Sequence, residues 1–419
     1  MPLVALSIAR TDLESAGLLY AIAGHDSANP PEVRSAMTRR AILFICALVS
    51  ACAIQPTAQP RPDHLFNDAA FRARSTPADG DVFALSEAMR RYLGDAIGPQ
   101  LRRMGRLEAL IDALRNGAHL KLEYDSAVTR TAAEAFDLRA GNCLSLVIMT
   151  AALAKELGLL VYYQRVYSEE TWSRDGDILF RSGHVNLILG QRTGDRIAAS
   201  DQNRQVTVDF LPQEDVRGYR TRPIEERTVI AMFMNNRAAE SLARAQIDDA
   251  YWWARDAIST DSGFLDAFNT LGVVYSRHGN LREAERVYRR LLEREPDNPT
   301  VISNLAAVLR AAGQPEVAQA LLQKLQSIEP YPPFHFLDQA QLALKSGDFR
   351  AAIDLFDREL ARNPSYHAAH SGLAAAYFHL GDFASARAYF TAAMQNSTTR
   401  RDHELYAAKL ERLRSYQVR

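Results

Sequence analysis

Apolar and polar positions alternate along this chain with two distinct periods, and the switches between them mark its elements. Leu144, Val147, Ile148, Ala151, Ala154 and Leu157 recur at helical spacing and stop at Gly158, which predicts a buried helix opening near Cys143. Leu159 to Tyr167 then reads as a strand. After a polar stretch from Glu169 to Asp177, expected to be a lid or a solvated loop, Ser182 to Leu189 alternates, with His184 and Asn186 on one face and Val185, Leu187 and Leu189 on the other. A second alternating run buries Val206, Val208 and Phe210 and turns Thr207 and Asp209 the opposite way. Two neighbouring strands would then present His184 and Asp209 side by side. Upstream, Val82 to Leu93 and Leu101 to Leu114 carry amphipathic helical patterns and predict an N-terminal helical subdomain.

From residue 264 a longer period takes over. Pro296, Pro330 and Pro364 are 34 residues apart, as are Gly279, Gly313, Gly347 and Gly381, and again Ala284, Ala318, Ala352 and Ala386. The first full unit reads Phe268-x-x-Leu271-Gly272-x-x-Tyr275, then Ala284-x-x-x-Tyr288, then Pro296. This resembles the tetratricopeptide repeat, with Phe in the place of Trp, and implies helical pairs stacked into an all-α solenoid. Small residues at Gly272, Ala306, Ala340 and Ala374 would let paired helices approach, and Tyr288, Leu322, Phe356 and Phe390 would fill the gaps between units. A degenerate unit precedes them, where Ala250 and Ala254 flank Trp252 and Trp253; this helix is expected to cap the solenoid and dock it on the preceding domain, the alternative being a binding surface. Leu405 to Leu413 would supply the closing helix.

The candidate chemistry lies between the two regions. A Cys in the first turn of a helix faces unpaired backbone N–H groups and the positive end of the helix dipole, which stabilise a thiolate and, later, an oxyanion. Thr131-Ala-Ala-Glu-Ala-Phe136, Gly141-Asn142-Cys143 and the helix end at Leu157-Gly158, followed by His184 and Asp209 at intervals of 41 and 25 residues, resemble the transglutaminase-like branch of the papain-like cysteine enzymes over about Tyr124 to Pro212. The resemblance implies an α+β fold in which Cys143 is the nucleophile, His184 the general base and acid, and Asp209 the group that orients the imidazole. Asp195 and Asp201 stand as alternatives to Asp209, and no side-chain oxyanion donor is evident. Each residue also has a plainer reading: a small core Cys, a structural His in a strand, and an Asp that opens a turn.

Composition and charge narrow the rest. The chain has 419 residues, 47% hydrophobic and 24% charged, enough for two to three domains with their own cores. A net charge of −1 gives no basic field for nucleic acid, and no Gly-x-Gly-x-x-Gly or Gly-Lys-Ser/Thr loop supports a nucleotide cofactor. His367, His370 and His379 lack a nearby carboxylate, so no metal is expected and no cofactor is assigned.

Met37-Thr-Arg39-Arg40, the apolar Ala41 to Ser50 and the closing Val49-Ser50-Ala51-Cys52 resemble a bacterial lipoprotein signal, too short to span a bilayer. That resemblance implies lipid on Cys52 and, since Ala53 is not Asp, the outer membrane facing the periplasm. Pro56, Pro60 and Pro62 would make an extended tether. Of three cysteines, Cys46 would leave with the signal and Cys52 would be acylated, so Cys143 alone keeps a thiol.

The expected organisation is therefore an upstream extension over 1–36, a signal over 37–51, a tether over 52–63, a transglutaminase-like domain over 64–230, a junction over 231–264, four repeats over 265–400 and a capping helix over 401–419. The expected function is a lipid-anchored envelope enzyme. It would attack an amide or peptide carbonyl through a thioacyl intermediate, with hydrolysis favoured over cross-linking, while the concave repeat surface recruits a protein or peptide. The membrane contact would be through the lipid alone. The alternative is a non-catalytic adaptor of an envelope complex.

Overall fold

The computed structural model describes residues 7–11, 62–74, 80–115, 120–175, 178–191, 205–210, 220–331, 334–397 and 399–417. The expected signal, Cys52 and its lipid, Pro56, Pro60, Asp195 and Asp201 lie outside the described residues.

The N-terminal part is α+β. Its five-stranded antiparallel sheet contains β1 (Ser7–Thr11), β4 (Leu160–Asp175), β5 (Ile178–Gly190), β6 (Gln205–Asp209) and β7 (Arg220–Ile224), in the order β1-β6-β5-β4-β7, while β2 (Glu123–Tyr124) and β3 (Ala140–Gly141) form a short parallel pair. β1 comes from the stretch expected to be an upstream extension and pairs along the whole of β6. β7 carries Pro223, which edge strands tolerate because one side of their backbone has no ladder partner. The polar stretch expected to be a loop or lid is not one: the backbone of β4 runs through it to Asp175 and pairs with β5, with an irregularity between Val166 and Thr171. Cross-strand pairing decides conformation there, not side-chain polarity.

The helices shift relative to the sequence pattern for identifiable reasons. α1 begins at Glu87, not Val82, because Ser86 caps it by accepting a hydrogen bond from the Met89 N–H (Glu87–Tyr92). A π-helical turn over Leu93–Ile97 leads into α2 (Gly98–Met104), and Gly105, at φ 87°, separates it from α3 (Arg106–Arg115), so the expected single helix over Leu101 to Leu114 is two. α4 (Ala132–Leu138) opens on a complete capping box between Thr131 and Glu134. α5 (Cys143–Glu156) is buried from Leu144 to Ala154 on every side, which suits a helix set between the sheet and other helices.

α6 (Glu226–Ala243) crosses residue 230, so one unbroken helix joins the α+β part to the helical stack. It pairs with α7 (Ile247–Thr260). Four helical pairs come next: α8 (Leu265–His278) with α9 (Leu281–Arg294), α10 (Pro299–Ala311) with α11 (Pro315–Ile328), α12 (His335–Ser346) with α13 (Phe349–Arg362), and α14 (His367–His379) with α15 (Phe383–Gln395). α16 (Arg400–Gln417) closes the stack against α15. Within the first pair, a Cβ at Gly272 would lie 2.5 Å from the Tyr288 ring, so glycine is what lets the tyrosine close the gap. Gly279 turns α8 into α9 at φ 90°, and the Asn280 N–H returns to the Tyr275 carbonyl at 2.9 Å.

The segment from Pro62 to Arg74 lies on the first helices of the stack. The Tyr275 hydroxyl donates to the Leu65 carbonyl (2.8 Å), the Asn67 N–H donates to the Tyr251 hydroxyl (2.9 Å), and that hydroxyl donates to Asp68 (2.6 Å). Phe71 stacks on Tyr251 with ring centroids 3.9 Å apart. Trp252 donates to the Arg72 carbonyl, and Trp253 is buried beneath the Arg74 guanidinium and against Phe233 of α6. Both tryptophans thus make contacts between the repeats and the preceding part of the chain.

Candidate functional site

Cys143 is the first residue of α5, and its position is set by its two neighbours. Asn142 is the N-cap: its Oδ1 accepts from the Ser145 N–H at 2.9 Å and from the Ser145 hydroxyl at 2.8 Å. Gly141 packs so closely that a Cβ there would lie 2.7 Å from Ser145 Cβ. The Cys143 side chain is half-buried and not in a disulfide.

β5 and β6 are adjacent, with Leu187 opposite Val208, and this register brings His184 and Asp209 together. His184 Nε2 and Asp209 Oδ1 are 2.7 Å apart, and Asn186 Nδ2 donates to Asp209 Oδ2 at 2.9 Å. All three side chains are buried. Asn186, two residues along the same strand face as His184, is a partner that the alternation made visible but that sequence reasoning left without a role.

Burial alone would disfavour the charged imidazole. The hydrogen bond to Asp209, and then the nearby Cys143 and the charge of Asp209, outweigh it and carry His184 from 6.5 up to about 10. With Nε2 committed to Asp209, Nδ1 is the ring nitrogen left for the sulfur. Nδ1 is buried and closes no hydrogen bond, so the thiol is near enough to act on the ring but is not in hydrogen-bond alignment with it.

A further residue stands at this site. The parallel β2/β3 pair sets Tyr124 opposite Gly141, two residues before Cys143. Burial, then charge at Cys143 and at Asp125, push the Tyr124 phenol well above its ordinary range, against a smaller pull from the Cys143 backbone N–H. The phenol therefore keeps its proton at neutral pH. Nothing in the local pattern around Tyr124 announces this, because the pairing joins two-residue strands across an intervening helix.

The repeat histidines occupy structural positions. His367 Nδ1 meets the Tyr406 hydroxyl at 2.7 Å, His370 Nε2 lies 2.8 Å from the Pro364 carbonyl, and His379 stacks on Phe349. Among the described residues no group of three or more His, Cys, Asp and Glu is gathered where a metal could sit, and no helix is long and apolar enough to cross a membrane.

Two family models described as tetratricopeptide repeat match the chain, over residues 275–335 and 337–399. No curated protein sequence matches it. Similar solved structures include a thermophilic TPR protein of Thermus thermophilus (18% identity, 43% of this chain and 98% of that one, TM-score 0.28). YrrB, a TPR protein with an unusual peptide-binding site, is 19% identical over 44% of this chain and 99% of its own, with a TM-score of 0.23. Yeast Tom70 is 16% identical over 45% of this chain and 40% of its own, with a TM-score of 0.33. Residues 275–335 and 337–399 are therefore tetratricopeptide repeats, an element of protein–protein interaction.

Proposed function

We propose that the α+β part of this chain is a transglutaminase-like cysteine enzyme and that the repeats bring it its protein or peptide substrate. The observation that carries this reading is the His184–Asp209 contact of 2.7 Å, in a buried pair whose imidazole is acted on by a thiol at a helix N-terminus.

In the proposed reaction Cys143 gives its proton to His184 Nδ1 and its sulfur attacks an amide carbonyl carbon, forming the S–C bond as the carbonyl π pair moves onto oxygen to give a tetrahedral oxyanion. The C–N bond then breaks as the His184 imidazolium gives its proton to the leaving amine. Water attacks the resulting thioester while His184 takes its proton, and the carboxylate and thiol are released. An amine in place of water would give a cross-link; water is favoured because it needs no second binding site. Asp209 holds the Nε2 proton, which leaves Nδ1 toward sulfur, and Asn186 fixes the second carboxylate oxygen. The protonated Tyr124 phenol is the side-chain donor proposed for the oxyanion, beside the backbone N–H groups that open α5.

The proposal extends to the envelope: lipid on Cys52 would anchor the chain to the bacterial outer membrane on its periplasmic side, with no contact to nucleic acid, and the cleavage before Cys52 that this requires would remove β1 and leave β6 as the sheet edge. A second reading, a non-catalytic adaptor, is favoured by one observation, the lack of a closed hydrogen bond between sulfur and Nδ1. Catalytic hydrogen bonds often tighten only when substrate is bound. A thiol-directed acyl probe separates the two: the enzyme reading expects labelling that Cys143→Ala abolishes with the fold intact, and equal labelling of both proteins overturns it.

A further inference from the structure

Beneath Cys143 lies a buried polar chain that crosses from the nucleophile helix to the helix leading into the repeats. The N-cap residue Asn142 uses Oδ1 on α5 and its Nδ2 elsewhere, donating to Thr129 Oγ1 at 2.9 Å. Thr129 is 1% exposed. Its backbone N–H donates to Glu240 Oε1 of α6 at 2.6 Å, and its hydroxyl oxygen also accepts from Asn236 Nδ2 of α6 at 3.2 Å. Arg237, one helical turn before Glu240, reaches its other oxygen at 3.4 Å and lies 5.7 Å from the centre of the Trp253 ring on α7.

Local structure does not require this arrangement. An N-cap needs only its own acceptor, and Asn142 already satisfies that with Ser145. The Nδ2 group could face water in a half-exposed loop; here it is fixed to a buried threonine that is itself held by a helix 111 residues away in sequence. Burying a carboxylate is unfavourable, and burial pushes the Glu240 carboxyl above its ordinary range against the smaller opposing pull of the Thr129 hydrogen bonds and Arg237.

We infer that Thr129 and Glu240 are positioning residues that act through Asn142 to hold the first turn of α5, and with it the Cys143 sulfur, in register with His184. The inference rests on the reading of Cys143 as a nucleophile. It also gives α6 a specific part: the helix that packs on the first repeat helix is the one that fixes the cap of the nucleophile helix. Displacements on the order of 1 Å at a reacting centre can cost about a hundredfold in rate, so a cap that merely loosens has a measurable effect.

The test is the rate of Cys143 alkylation by iodoacetamide in the full chain, resolved by peptide mapping from Cys46 and Cys52. Thr129→Val, equal in size but without the hydroxyl, should slow it roughly tenfold or more, and Thr129→Ser should restore it to within about twofold. A merely structural role predicts a lowered melting temperature with unchanged alkylation in the folded protein. Should Thr129→Val fail to fold, Glu240→Met, similar in length but without an acceptor for the Thr129 N–H, carries the test with an expected slowing of at least about threefold. Folded variants that react as fast as the natural chain overturn the positioning role alone. If Cys143 of the natural chain reacts no faster than in the urea-unfolded chain, the nucleophile reading fails instead.

Discussion

Replacing Asp209 by Asn removes the largest contribution that keeps His184 charged, and the consequence is a change in protonation at neutral pH. His184 is 6% exposed, so burial then acts with only the neighbouring thiol against it. A rise from 6.5 to about 10 corresponds to roughly 5 kcal/mol of differential stabilisation at about 1.4 kcal/mol per unit. Removing one partner of a buried charged pair costs about 3–5 kcal/mol in comparable cases, a similar range. Because the folded value lies above the ordinary one, the charged ring stabilises the fold fully below pH 6.5, and this contribution is lost as pH rises toward about 10. Imidazole NMR reads this directly. With ten histidines in the chain, the His184 signal is assigned by its absence in His184→Gln. It should remain that of an imidazolium well above pH 7 in the natural chain and fall below 6.5 in Asp209→Asn. Titration of His184 at or below 6.5 in the natural chain would refute the reasoning.

Two further outcomes follow, one at the site and one in the repeats. Tyr124→Phe keeps the ring but removes the donor, so it should lower kcat by roughly a hundredfold, the usual cost of one oxyanion donor, with folding unchanged by circular dichroism. Gly272→Ala places a methyl carbon 2.5 Å from Tyr288, and should destabilise the repeat region by about 1–3 kcal/mol in urea titration followed by circular dichroism.

What the residues revealed in advance depended on whether the controlling interaction was local or periodic. The 34-residue spacing of Gly279, Gly313, Gly347 and Gly381 located every repeat turn, since each turn needs a positive φ at the same place. Asn142 before an apolar helix, and the alternation around His184 and Asp209, placed the helix start and the strand faces for the same reason. Tyr124, Thr129 and Glu240 were not legible, because their roles come from pairing across 13 to 111 residues and leave no periodic trace. The hairpin through Glu169 to Asp175 was misjudged from its polarity, although a strand needs only a partner to hydrogen-bond. The first helix begins five residues after Val82, where the Ser86 side chain caps it, a local signal that the apolar pattern does not carry.

The central claim is that Cys143, His184 and Asp209 act as one acyl-transfer unit. Its most direct test is intact-mass and peptide-mapping analysis after brief mixing with an activated acyl ester. The account predicts a stoichiometric adduct on the Cys143 peptide, released by hydroxylamine as a thioester should be, absent in Cys143→Ala and formed much more slowly in His184→Ala. An adduct that forms at the same rate with and without His184, or that accumulates on other residues, would contradict it.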